Sequence, residues 1–170
     1  AYMAADSIAN RPNILIVDDV PANLMVLSEM IKDLSYIPRP VASVKGAQSA
    51  IEKKMPALIL LDITMPDITG YEYCTMLKSD PKTRDIPIIF ISALDSIEDK
   101  VKGFRLGAVD YISKPFEKAE VTVRLSTHLK IYQMQREMES YNRRLHKMVN
   151  DQIRVVEEEQ KNMLRALANI

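Results

Sequence analysis

"ALILLDITMPDITG", residues 57–70, decides how the chain is read. Four apolar residues, Leu58-Ile59-Leu60-Leu61, run straight into a carboxylate, Asp62, and Pro66 and Gly70 follow. A short segment that is apolar on both faces suits a strand of a parallel sheet, because helices cover both sides of such a sheet. An acidic residue closing the strand then stands at the C-terminal edge of the sheet, where open α/β folds bind their ligands.

The same pattern recurs outward in both directions. "NILIVDD" (13–19) and "IPIIFISA" (86–93) read as buried strands, and "RPVAS" (39–43) and "VDYIS" (109–113) as weaker ones. Between them lie helical stretches at 22–34, 45–54, 70–79 and 96–107. In the first of these, Leu24, Leu27, Met30, Ile31 and Leu34 fall at helical spacing, and Gly107 reads as the C-terminal cap of the last. Five β/α repeats predict a doubly wound five-stranded parallel sheet, an α/β fold of about 120 residues.

The chain has 170 residues, with 23 basic and 23 acidic side chains. Neither part, divided at Pro115, has the basic excess of a nucleic-acid binder. One cysteine, Cys74, excludes an intrachain disulfide and points to a reducing, cytoplasmic setting. No run is apolar and long enough for a membrane span, and residues 1–10 lack the apolar centre of a secretory leader. We treat residues 1–10 as a leader, 11–130 as the α/β domain and 131–170 as a helical linker.

All nine prolines and all four glycines lie at or before Pro115. The stretch from Phe116 onward therefore predicts one continuous helix. A helix over 117–168 would be ~78 Å long at ~1.5 Å per residue. Its seam positions alternate by three and four: Ile131, Met134, Met138, Tyr141, Leu145 and Met148, then Val149, Ile153, Val156, Gln160, Met163, Leu167 and Ile170, all apolar but Gln160. The two series differ in phase by one residue, a local perturbation of a coiled coil. A lone helix cannot bury such a stripe, so a homodimer through this helix is expected, its orientation left open by the stripe alone.

On the predicted sheet, Asp18 and Asp19 end the first strand, Asp62 the third and Ser92 the fourth, and Lys114 follows the fifth. Each alone has a bland reading: a turn carboxylate, a helix cap, a surface lysine. Together they gather at one edge in strand order. Three carboxylates repel unless a hard divalent cation such as Mg²⁺ sits among them, and a lysine nearby offers a point charge for phosphate.

On these residues the chain resembles the receiver domains of bacterial response regulators. "ILIVDD", "LILLDITMPDITGYE", "PIIFISAL" and "GAVDYISKPF" match the family's blocks in order and spacing. The resemblance implies that Asp62 accepts a phosphoryl group from a sensor histidine kinase or a phosphotransfer protein. It implies that Asp18, Asp19, Asp62 and the backbone carbonyl of Thr64 hold Mg²⁺. Lys114 would pair with the phosphoryl oxygens, Ser92 would be the switch hydroxyl, and Tyr111 the switch aromatic that turns inward. A cis Lys114–Pro115 bond is expected as well. Thr64 and Leu94 stand at positions that tune dephosphorylation in the family, and Leu94 cannot orient a water by hydrogen bonding, so a long-lived phosphoryl state is expected.

The helical tail resembles linkers that precede HD-GYP domains, which hydrolyse cyclic di-GMP. The chain ends inside a helix and reads as a fragment lacking its output domain, itself without enzymatic output. A linker to a diguanylate cyclase or phosphatase module and a self-contained dimerising scaffold are the alternatives. A phosphatase with an aspartyl intermediate would need an Asp where Thr64 stands. Cys74 reads as a packing residue, His128 and His146 as solvated, and Arg143-Arg144 lack a helix-turn-helix to carry them to nucleic acid.

Overall fold

The computed structural model describes residues 11–169; the leader at 1–10 and Ile170 lie outside the described residues. Five strands alternate with five helices: β1 (Asn13–Val17), α1 (Pro21–Asp33), β2 (Ile37–Val41), α2 (Val44–Lys53), β3 (Leu58–Asp62), α3 (Gly70–Ser79), β4 (Ile88–Ser92), α4 (Ile97–Arg105), β5 (Asp110–Ser113) and α5 (Lys118–Ala168). The strands form one all-parallel sheet in the order β2-β1-β3-β4-β5, the doubly wound, flavodoxin-like arrangement.

Alternation along the strands divides the core in two. Ile14, Ile16, Leu58, Leu60, Ile89, Ile91 and Ile112 face α1 and the start of α5, where Leu27, Ile31, Val121, Leu125 and Leu129 meet them. Leu15, Val17, Ile59, Leu61, Phe90 and Tyr111 face the other way, onto Val44, Ala47 and Ile51 of α2 and Tyr73, Cys74 and Leu77 of α3. β1, β3 and β4 are buried along their whole length, which is why they read as unbroken apolar runs.

β2 lies two residues earlier than its sequence suggests, at Ile37–Val41 instead of 39–43. Pro38 and Pro40 obscure it, yet both are tolerated because β2 is an edge strand paired only with β1. Between them Arg39 donates to Asn13 Oδ1 at 2.9 Å and to the carbonyls of Lys54 at 2.8 Å and Ala50 at 2.5 Å, satisfying the C-terminal end of α2. Gly107 ends the turn after α4 at φ +107°, in the left-handed region that favours glycine.

The described chain divides into two compact units, the first ending at Lys130 and the second beginning at Ile131. The second is helical from Ile131 to Ala168. Among the described residues no helix is long and apolar enough to cross a membrane.

Candidate functional site

β1 and β3 are neighbours in register, Val17 beside Leu61, so the residues that follow them emerge side by side. Carboxylate oxygens of Asp18, Asp19 and Asp62 lie within 4.8 Å of one another. Asp18 and Asp62 are buried and Asp19 is exposed. Asp18 is held by the Val20 N–H at 2.9 Å and the Asn23 amide at 3.1 Å. Lys114 Nζ reaches Asp18 Oδ2 at 3.2 Å and Asp62 Oδ1 at 3.4 Å. Its own backbone N–H donates to the Ser92 carbonyl at 2.9 Å, which ties the loop after β5 to the end of β4. The Lys114–Pro115 peptide is cis.

Gly70 explains the turn that follows Asp62. A Cβ there would stand 2.2 Å from the Asp62 carbonyl oxygen and 2.7 Å from Ile63 Cα. Without one, the Gly70 N–H donates to the Ile63 carbonyl at 2.9 Å and α3 starts directly against the site. Thr69 caps that helix, its side chain accepting from the Glu72 N–H.

Burial, and then the negative charge of Asp18, push the Asp62 carboxyl up from 3.8 to about 6, while Lys114 and the Thr64 N–H pull the other way. One ammonium therefore does not compensate the buried carboxylates. Oxygen donors with surplus negative charge and one exposed member fit a hard divalent cation of the Mg²⁺ type.

Ser92 is buried, and its hydroxyl accepts from the Leu94 N–H at 3.0 Å. The sequence reading has Tyr111 turning inward as the switch moves. In this structure its ring is already buried, 4% exposed, and its hydroxyl donates to the Leu94 carbonyl.

Outside the site, Cys74 is fully buried and its thiol faces the Leu106 carbonyl at 3.6 Å. Burial pushes that thiol up to about 11. Ile131, Met134, Met138, Tyr141, Leu145, Met148, Ile153, Val156, Met163 and Leu167 are exposed on α5.

His128 corrects the sequence reading. It is not solvated: its imidazole Nε2 lies 2.8 Å from Asp110 Oδ2, and its side chain is 17% exposed. The helical turn that carries it faces β5. Asp110 was not singled out in the sequence, nor was Arg124, whose guanidinium sits 2.6 Å from Asp110 Oδ1. Burial alone would raise the Asp110 carboxyl, but hydrogen bonds from Arg124, His128 and the Tyr111 N–H outweigh it and hold the group below the usual carboxylate range. An acid opening β5 and a basic pair four residues apart on the next helix were the available signal.

A sequence profile described as the response regulator receiver domain matches residues 14–126. The DNA-binding dual master transcriptional regulator RpaA of Synechocystis sp. is 38% identical over 120 residues, covering 70% of this chain and 49% of that protein. A Vibrio cholerae protein named "Probable cyclic di-GMP phosphodiesterase" is 40% identical over 116 residues, covering 68% of this chain and 26% of its own length. The chain thus spans about half of the first relative and about a quarter of the second. The receiver domain of the Francisella response regulator 1452 superposes with a TM-score of 0.66 at 27% identity, over 71% of this chain and 98% of that one.

Proposed function

The chain belongs to the response regulator receiver domain family of two-component signalling, and on that premise we propose that Asp62 is its phosphoacceptor. The observation that carries the reading is the meeting of three carboxylates and Lys114 at one sheet edge. An Asp62 carboxylate oxygen attacks the phosphorus of a phosphohistidine on a sensor kinase or phosphotransfer protein. The new O–P bond forms as the N–P bond breaks, and the electron pair of that bond leaves with the imidazole nitrogen. Asp18, Asp19, Asp62 and the Thr64 carbonyl would hold Mg²⁺, which neutralises phosphoryl oxygens when bound. Lys114 is positioned to exchange its carboxylate contacts for a phosphoryl oxygen. The Ser92 hydroxyl accepts from the Leu94 N–H and keeps its own O–H to donate beside it.

Residues 11–130 form the receiver and 131–170 a linker that pairs with a second copy through the exposed α5 stripe. Output lies in a C-terminal domain. Cyclic di-GMP hydrolysis is the output we favour, on the tail's resemblance to HD-GYP linkers and on the Vibrio cholerae relative. The setting is cytoplasmic.

Intact mass after incubation with acetyl phosphate and Mg²⁺ tests the acceptor. One added phosphoryl group is expected, and none in Asp62→Asn. Equal phosphorylation of the variant would overturn the assignment. Asp62 should also stay modified for many minutes, since Leu94 offers a hydrolytic water no side-chain partner.

A further inference from the structure

α4 is fastened at both flanks of a single aromatic ring. Phe90 of β4 lies beneath it, and a Cβ on Gly103 would come within 2.9 Å of that ring, so the helix packs directly against the phenyl ring. Tyr111 is the register partner of Phe90 on β5 and reaches the Leu94 carbonyl just ahead of α4. On the opposite flank stands Tyr71, from the first turn of α3. Its ring meets Phe90 edge-on, with centroids 5.3 Å apart and planes at 74°. Its hydroxyl donates to the Asp99 carbonyl, in the first turn of α4, at 3.2 Å. The Lys102 ammonium of the same helix lies 4.4 Å from its ring centroid. Beyond these contacts α3 and α4 part into a cleft, lined by Thr69, Glu72, Thr75 and Leu106.

Apart from the Cys74 thiol facing the Leu106 carbonyl and Lys100 lying over the Tyr111 ring, the remaining polar ties at the start of α4 are exposed. Ser96 caps the helix, and Asp95 takes Lys100 at 3.1 Å and the Ser113 hydroxyl at 3.0 Å. Such surface pairs hold a helix weakly. Tyr71 differs because it joins α4 to the strand that ends in Ser92. Phe90 and Ser92 are two apart and so lie on the same face of β4.

We propose that Tyr71 is a positioning residue of the switch: its hydroxyl latches α4 to α3 and favours the arrangement in which Tyr111 is turned inward. This rests on the reading of Asp62 and Ser92 as a phosphoryl site coupled to Tyr111. A phosphoryl mimic binds most tightly to the arrangement the latch favours, and apparent affinity falls in proportion when that arrangement is less populated. Loss of one such bond corresponds to about a two- to tenfold change.

The test compares the full chain with Tyr71→Phe, which keeps the ring and removes the hydroxyl. Amide spectra of the free chain and titration with beryllofluoride in Mg²⁺ are read together. Tyr71→Phe should move the amides of residues 94–103 and of Tyr111, and should weaken beryllofluoride about two- to tenfold while the melting temperature changes little. A Tyr71→Phe/Tyr111→Phe cycle should be non-additive in mimic affinity, because both hydroxyls hold the same segment. Unmoved amides with unchanged affinity, or an additive cycle, would overturn the latch. If wild type does not bind the mimic, or Asp62→Asn binds it equally, the phosphoryl-site reading fails instead. The amide spectra of the free Tyr71→Phe chain then still decide whether Tyr71 positions α4.

Discussion

The two units solve opposite problems. In the first, β1, β3 and β4 are buried from end to end and both faces of the sheet are covered within the same unit. In the second, residues of the same apolar character stand in water: Met138 is 66% exposed and Met148 68%. One helix, α5, passes from one regime to the other. Val121, Leu125 and Leu129 are buried at helical spacing, and Ile131 is then 46% exposed. Sheet-centred folding makes its own interior. A single helix cannot, and most helical stability in proteins comes from packing an amphipathic face. The first unit should therefore respond to substitutions as a cooperative fold, and the second as a surface whose properties depend on what it meets.

Gly70→Ala should break this contrast most severely. The added methyl would collide with backbone and not with a flexible side chain, so a loss of more than ~3 kcal/mol is expected. Urea unfolding should show the first unit failing, and beryllofluoride binding should vanish with it.

Asp62→Asn should act in the opposite direction. A carboxyl held at about 6 against an ordinary 3.8 binds its proton more tightly in the folded state, so the fold loses stability as pH rises through that window. In metal-free buffer at pH 7 the variant should be more stable by about 2 kcal/mol. The gain should shrink as pH falls from about 6 and be gone below about 4. Equal stability at pH 7 would contradict the uncompensated charge.

Asp110→Asn sharpens the comparison from β5, where the carboxylate pairs with Arg124 and His128 at the buried end of α5. The Asp110 carboxyl lies below its ordinary value, so its contribution is complete above an unfolded value of about 3.9 and is lost only as pH falls through the lower folded one. A cost of about 1–2 kcal/mol is expected at pH 7. It should persist at pH 5, where the Asp62→Asn gain is already declining.

For the second unit, Leu145→Glu with Ile153→Glu should halve the molar mass seen by light scattering, yet move the first unit's urea midpoint by less than about 0.5 kcal/mol. A mass already monomeric in wild type would remove the homodimer proposal. Lys118→Met marks the small end of the scale: its pair with Asp33 is 62% and 55% exposed, and its loss should cost less than about 0.5 kcal/mol.

What could be read in advance follows the same division. Unbroken apolar runs announced β1, β3 and β4, and a carboxylate closing such a run announced Asp62. The parallel sheet then gathers Asp18, Asp19 and Lys114 without further information, because strand ends share an edge. β2 was misplaced because Pro38 and Pro40 mask a strand that only its edge position permits. Tyr71 and His128 were passed over because each acts across elements, on a carbonyl 28 residues away and a carboxylate 18 residues away. Helical periodicity tells which residues share a face, and not which strand or helix that face will meet.

Cys74 turns the first unit into its own stopwatch. The sequence holds one thiol, and folding encloses it on α3 with its proton tightly held. A thiol reagent added to the native protein can therefore modify the chain only when that part of the core opens. Labelling rates across reagent concentration would give the frequency of that opening, with no engineered probe and no competing site on the tail.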